Sequence, residues 1–217
     1  MIAIVDYGAG NLNSVKKAFD HLAANVVVTA QPEVVAAADK IVLPGVGHFS
    51  ALAALDNKGL REAVLQGAKA GKPFLGICLG MQWLFEGSDE APDFAGAAIL
   101  PGRCQPFAAS VKSPHVGWNS LKITQASPRE TSPRQDSSRD VSPRKPSRLL
   151  RNVPPDSFVY FTHSFQAPVM AATAASTAYG APFSAVVEQE NICGVQFHPE
   201  KSSTVGLLIL KNFCEAF

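Results

Sequence analysis

The chain contains no apolar stretch approaching the ~20 residues needed to cross a bilayer, which argues against a membrane-spanning protein. It also lacks strong charge of either sign, since 19 Lys and Arg against 18 Asp and Glu leave a formal charge of +1. Nothing global therefore calls for nucleic acid or an anionic membrane surface, and any partner has to be argued from local features. Cysteine is scarce and scattered. Cys78, Cys104, Cys193 and Cys214 form no C-x-x-C pair, and 217 residues exceed the small domains that disulfides staple. Reduced thiols are expected, most of them as small buried side chains. The opening Met1-Ile2-Ala3-Ile4-Val5-Asp6 has neither a basic lead nor a small-residue cleavage site. It reads as a strand rather than a signal peptide, and a cytoplasmic location is expected.

What the chain does have is 47% hydrophobic residues, enough for the core of one domain over residues 1–217. In the first half, short apolar runs alternate with helical patterns. Strands are expected at Ile2 to Val5, Val26 to Val28, Ile41 to Leu43 and Phe74 to Ile77, and helices at Ser14 to Leu22, Val34 to Ala38, Leu60 to Ala70 and Leu79 to Phe85. That alternation predicts an α/β fold, an open and mostly parallel sheet flanked by helices. The second half is richer in strand patterns, at Ser120 to Ile123, Phe158 to Phe165, Ala185 to Glu188 and Ile192 to Phe197. These are expected as mixed or antiparallel strands added to the parallel sheet, with a final amphipathic helix from Thr204 to Cys214 packed back on it.

One segment stands apart. From Gln125 to Arg148 serine recurs every five residues, at Ser127, Ser132, Ser137, Ser142 and Ser147. A five-residue period cannot hold one helical face, and the stretch has almost no apolar anchors. Residues 125–148 are expected to be a low-complexity insertion on the surface of the domain. Nucleic-acid contact or phosphorylation of its serines is the functional alternative.

Three short motifs carry chemistry. Gly76-Ile77-Cys78-Leu79-Gly80 follows a strand-like run and precedes a helical one, the setting of a nucleophile elbow. Its glycines permit a sharp turn that holds the cysteine out, and the helix start behind it offers unpaired N–H groups to a thiolate or an oxyanion. Gln196-Phe197-His198-Pro199-Glu200 ends a later strand. A histidine there can take and return a proton, and a carboxylate two residues on can fix its tautomer. Pro44-Gly45-Val46-Gly47 is a glycine-rich turn after a strand, able to bring backbone N–H groups to a tetrahedral intermediate. In an open α/β sheet such loops converge at the carboxyl ends of the strands.

Taken in this order, the motifs resemble the class I glutamine amidotransferases. Further residues narrow the resemblance to the glutaminase subunits of imidazole glycerol phosphate synthases: Asp6-Tyr7-Gly8-Ala9-Gly10-Asn11-Leu12, Pro114-His115-Val116-Gly117-Trp118-Asn119, Tyr160-Phe161-Thr162-His163-Ser164 and the Lys201-Ser202 that follows His-Pro-Glu. The resemblance spans nearly the whole chain apart from 125–148. Departures are Val116 where methionine is usual, Phe165 where tyrosine is usual, and the insertion itself.

The resemblance implies a flavodoxin-like glutaminase that converts L-glutamine to glutamate and ammonia, with Cys78, His198 and Glu200 as the catalytic triad. It implies oxyanion donors at Val46 and Leu79, substrate contacts at Gly47 and Gln82, and no metal or cofactor. Its expected partner is a (β/α)₈-barrel cyclase forming a heterodimer and receiving the ammonia, with Asn11, Trp118, Tyr160 and Lys201 at the interface. Two other readings stay open on the residues alone: a glutaminase for another synthase, such as that of pyridoxal phosphate, and a catalytically silent scaffold.

Overall fold

A computed structural model describes residues 1–124 and 145–217. The chain begins β1 (Ile2–Val5), α1 (Leu12–His21), β2 (Val26–Thr29), α2 (Pro32–Ala37) and β3 (Lys40–Gly45). It continues with α3 (Ala53–Asn57), α4 (Leu60–Lys69), β4 (Phe74–Cys78) and α5 (Leu79–Gln82). Short strands follow at β5 (Gly87–Ser88), β6 (Ala91–Ala95) and β7 (Arg103–Pro106), then β8 (His115–Ser120) and β9 (Lys122–Ile123). The last part holds β10 (Phe158–His163), β11 (Phe165–Gln166), β12 (Thr173–Tyr179), β13 (Ala181–Gln189), β14 (Ile192–Val195) and α6 (Ser203–Glu215).

Eight strands form the main sheet in the order β2-β1-β3-β4-β14-β13-β12-β9. The first five run parallel, and β13, β12 and β9 extend the sheet antiparallel. This is the expected fold class, and the parallel part has the flavodoxin-like order in which ligands sit at the carboxyl ends of the strands. β1 and β4 are buried along their whole length, as parallel strands covered on both faces must be. Alternate residues feed two cores. Ile2, Ile4, Leu75 and Ile77 meet Phe19 of α1 and Ile209, Leu210 and Phe213 of α6. Ala3, Val5, Ile41 and Leu43 meet Val35 of α2 and Leu60 and Val64 of α4. Each face burying its own set is the period-2 geometry that fixes strand register.

Two expectations need correction. Leu79 to Phe85 is not one helix, because α5 stops at Gln82. The carbonyls of Trp83, Leu84 and Phe85 accept N–H groups from Ala97, Leu100 and Ala98 and so cannot extend it. Of the strand expected from Ser120 to Ile123, Ser120 closes β8, which pairs with β10 apart from the main sheet, and Lys122–Ile123 forms β9 against β12, which was not foreseen. Most of the stretch expected to be an insertion, 125–148, lies outside the described residues. Its end is held by Glu188, whose carboxylate accepts from Ser147 Oγ at 2.5 Å and from Arg148 Nε at 3.4 Å. Among the described residues no helix is long and apolar enough to cross a membrane.

Candidate active site

β4 delivers Cys78 to the carboxyl end of the sheet, where the chain turns at φ 53°, ψ −106° into α5. A non-glycine residue in that region is strained and persists only where its surroundings hold it. The packing shows what holds it. A Cβ on Gly80 would stand 1.8 Å from the Leu43 carbonyl oxygen, and one on Gly76 would stand 2.4 Å from that of Gly80. Only glycines allow β3, β4 and α5 to approach this closely, which is the physical content of the Gly-x-Cys-x-Gly pattern.

β14 delivers His198 to the same end. Its Nδ1 lies 2.9 Å from Glu200 Oε1, and both side chains are almost wholly buried. Burial alone would lower the His198 pKa. Hydrogen bonding and charge from Cys78 and Glu200 outweigh it and push it up to about 10. The buried Nε2 is left to the Cys78 thiol and has no other hydrogen-bond partner, so it is free for proton traffic with that thiol. The arrangement can attack an acyl carbon through sulfur and deliver a proton to the leaving group.

Cys78 opens onto a cavity of about 310 Å³, walled by Val46 and Gly47 of the glycine-rich turn, by Leu79 and Gln82, by Glu90, and by Pro114 and residues 162–165. A larger hollow of about 690 Å³ near Gly71, Pro73 and Asn191 contains no cysteine or histidine, so size does not select the site. Gln82 is buried, and its Nε2 donates to the Phe165 carbonyl at 3.0 Å and to Gln196 Oε1 at 3.1 Å. Glu90 was missed from the sequence, where the second acid of Ser88-Asp89-Glu90 carries no signal. In the fold its Oε2 accepts the Phe49 N–H at 2.7 Å while the residue borders the cavity.

With this geometry in place, the comparisons are direct. The model of the class-I glutamine amidotransferase family matches residues 3–217. The chain belongs to that family. It is 43% identical over 216 residues to the imidazole glycerol phosphate synthase subunit HisH of Desulfitobacterium hafniense, covering 98% of this chain and 93% of the relative. The HisH subunit of Methanothermobacter thermautotrophicus is 43% identical over 217 residues, with 99% and 98% covered. Among solved structures, one described as a glutamine amidotransferase superposes with a TM-score of 0.71 at 14% identity, covering 99% of this chain and 97% of its own. PurLQS from Thermotoga maritima gives 0.70 at 16% identity, with 98% and 96% covered. These two likenesses speak to fold.

A feature of this amidotransferase outside the cavity also bears on its function. β8 and β10 pair antiparallel with Trp118 opposite Tyr160 and Val116 opposite Thr162. Their outer face exposes Val116 (56%), Trp118 (52%) and Phe158 (58%). Trp118 meets Tyr160 edge-on at 6.1 Å, and Lys201 Nζ lies 5.9 Å from the Tyr160 ring centre. The ribbon is wired to His198. The His198 N–H donates to the Tyr160 carbonyl at 2.9 Å, and Ser202 Oγ bridges the Tyr160 N–H and the His198 carbonyl. α1, which Asn11 precedes, packs on the turn that carries Lys201.

Proposed function

We propose that the chain is the glutaminase subunit of an imidazole glycerol phosphate synthase, hydrolysing L-glutamine and passing ammonia to a (β/α)₈-barrel cyclase for histidine biosynthesis. The observation that carries the catalytic part is the buried His198–Glu200 pair beside a strained cysteine at the wall of an amino-acid-sized cavity.

His198 takes the Cys78 proton, and the sulfur attacks the side-chain amide carbon of glutamine. A C–S bond forms and the carbonyl π pair moves onto oxygen, where the N–H groups of Val46 and Leu79 receive the oxyanion. Leu79 suits this role because it opens α5, where N–H groups have no intrahelical partner. Collapse breaks the C–N bond, and His198 gives its proton to the departing amine, leaving a glutamyl thioester. Water then adds, with His198 as base and Glu200 holding the imidazole, and glutamate leaves as the thiol re-forms. Gln82 and Gly47 border the bound substrate, and the Glu90 carboxylate faces its α-ammonium group.

The apolar ribbon of Val116, Trp118, Phe158 and Tyr160 supports docking of the cyclase, because exposed aromatics set among apolar neighbours are the usual anchors of a protein interface. Asn11 and Lys201 belong to the same contact.

The test is a glutamine-mimicking diazoketone followed by peptide mapping, with Cys78→Ala assayed beside it. Label on Cys78 alone is expected. The variant should lose glutamine-dependent synthesis by the complex and keep synthesis driven by added ammonia. Label on Cys104, Cys193 or Cys214, or loss of both activities, overturns the assignment.

A further inference from the structure

Beneath the cavity floor, one contact of the nucleophile is not used by the triad. Gln196 is fully buried, and its Nε2 stands 3.7 Å from Cys78 Sγ, inside the range of an N–H···S hydrogen bond. A further polar contact of that sulfur, besides His198, is the Thr162 carbonyl at 3.9 Å, which can only accept. A thiol satisfies both, donating to Thr162 and accepting from Gln196. A thiolate is opposed by the carbonyl and held by the amide.

The orientation of the Gln196 amide follows from its neighbours. The Phe165 carbonyl can only accept, so the group of Gln82 that meets it at 3.0 Å is the NH₂. That same NH₂ lies 3.1 Å from the Gln196 side chain and must meet its oxygen. The remaining end of Gln196, turned to the sulfur, is then its own NH₂. A backbone carbonyl on β11 thus sets the polarity of a two-amide relay that ends on the nucleophile.

We propose that Gln196 is a further catalytic residue of the glutaminase, its side-chain N–H holding the Cys78 thiolate while Gln82 keeps that N–H aimed. Gln196 moves no proton. Its hydrogen bond is strongest when the sulfur is charged, before attack and again when the thioester breaks, and a charge-assisted bond of this kind in a dry site counts for more than its neutral form. Gln82 acquires a second duty beside the substrate, as the positioning residue of the relay.

The inference rests on Cys78 being the nucleophile, so the experiment separates the two. Alkylation of the full-length chain by iodoacetamide is followed on the Cys78 peptide from pH 6 to pH 10, in the wild type and in Gln196→Met, which fills the space without a donor. The rate at pH 7 is expected to fall about tenfold, in line with losing one hydrogen bond to a charged group, and the gap to the wild type to close toward pH 10. With the cyclase present, kcat for glutamine should fall by a similar factor and KM should stay put. Parallel profiles offset equally at all pH values would mean packing alone and overturn the role of Gln196. A Cys78 that does not alkylate, or whose loss leaves glutamine turnover intact, would overturn the nucleophile instead. Should Gln196→Met fail to fold, ¹⁵N-glutamine labelling of the wild type decides. A buried side-chain amide should shift with pH in the wild type and stay still in Cys78→Ala, and absence of any such signal overturns the proposal.

Discussion

The two turns that meet at the cavity are built in opposite ways. At the cysteine elbow every glycine is spent on close approach, with Leu43, Gly80 and Met81 backbone atoms within 3 Å of where a Cβ would stand. At the other turn only the base is pinned, Gly45 being closed off by Tyr7 Oη at 2.5 Å and Leu79 Cβ at 2.8 Å. The tip is free: Gly47 has φ +95° with nothing within 4 Å of an added Cβ, and Val46 is 38% exposed. A nucleophile has to be held in one geometry for attack, since small misplacement costs rate steeply. An oxyanion donor on a free tip can instead be turned away or toward the site at small cost, which gives a docking partner something to bias. On this view the elbow is fixed by folding and the turn is set by the complex.

The largest effect expected from this contrast is at the elbow. Gly80→Ala puts a methyl group against backbone that cannot swing aside, so it should cost about 3 kcal/mol or more and lower Tm by roughly 6–12 °C. Glutamine turnover should go with it. Calorimetry that finds the variant as stable as the wild type would show that the elbow is not locked.

Next comes the backbone of the turn. Val46→Pro deletes the N–H while leaving an exposed position, so stability should barely change. Glutamine turnover in the presence of the cyclase should drop roughly 10²–10³-fold, the usual loss for one oxyanion donor. Unaltered turnover would remove Val46 from the mechanism.

How the sequence foreshadows these regions follows from the same physics. The parallel half is legible because each strand is a continuous apolar run and each helix repeats its apolar face, signals that survive without tertiary context. The elbow and His198 are legible because their glycines and spacing are local. β12, Thr-Ala-Ala-Ser-Thr-Ala-Tyr, is illegible because alanine and serine are poor strand formers, and it exists through pairing with β13 and β9. Gln196, Glu90 and the buried imidazoles of His115 and His163 acquire their roles only from residues far along the chain, which no short window contains.

Those imidazoles supply a third test, of moderate size, aimed at the packed side. His163 Nδ1 lies 2.8 Å from the Phe165 carbonyl and must donate to it, so its Nε2 accepts from His115 Nδ1 at 3.1 Å. Protonating His163 would set two donors face to face. Burial holds both rings neutral, lowering His115 to about 4 and His163 to about 3, and the His198 charge adds to the effect on His163. Both values lie below the ordinary 6.5, so the unfolded chain binds more protons in acid. The stabilisation is therefore complete above pH 6.5 and drains away as pH falls toward 4 and then 3, by an amount on the order of a few kcal/mol. Tm should fall across that window, and His115→Gln should flatten the slope. An equal slope in the variant would mean that other groups carry the acid sensitivity.

The smallest expected effect is the most discriminating for the turn. If Val46 acts through its N–H, its side chain is incidental. The residue is partly exposed at the cavity rim, and truncating an exposed side chain away from special features usually changes stability by no more than about 0.5 kcal/mol. Val46→Ala keeps the N–H and loses two methyl groups, so turnover with the cyclase should stay within roughly threefold of the wild type. The isolated chain responds differently. Alanine leaves the backbone less restricted than a β-branched residue does, so the tip can sample more orientations, and activity without a partner should hold or rise slightly. Measuring both variants with and without cyclase separates the two faces of residue 46. A large loss in Val46→Ala equal to that in Val46→Pro would assign the effect to the side chain and dissolve the contrast between a fixed elbow and a settable turn.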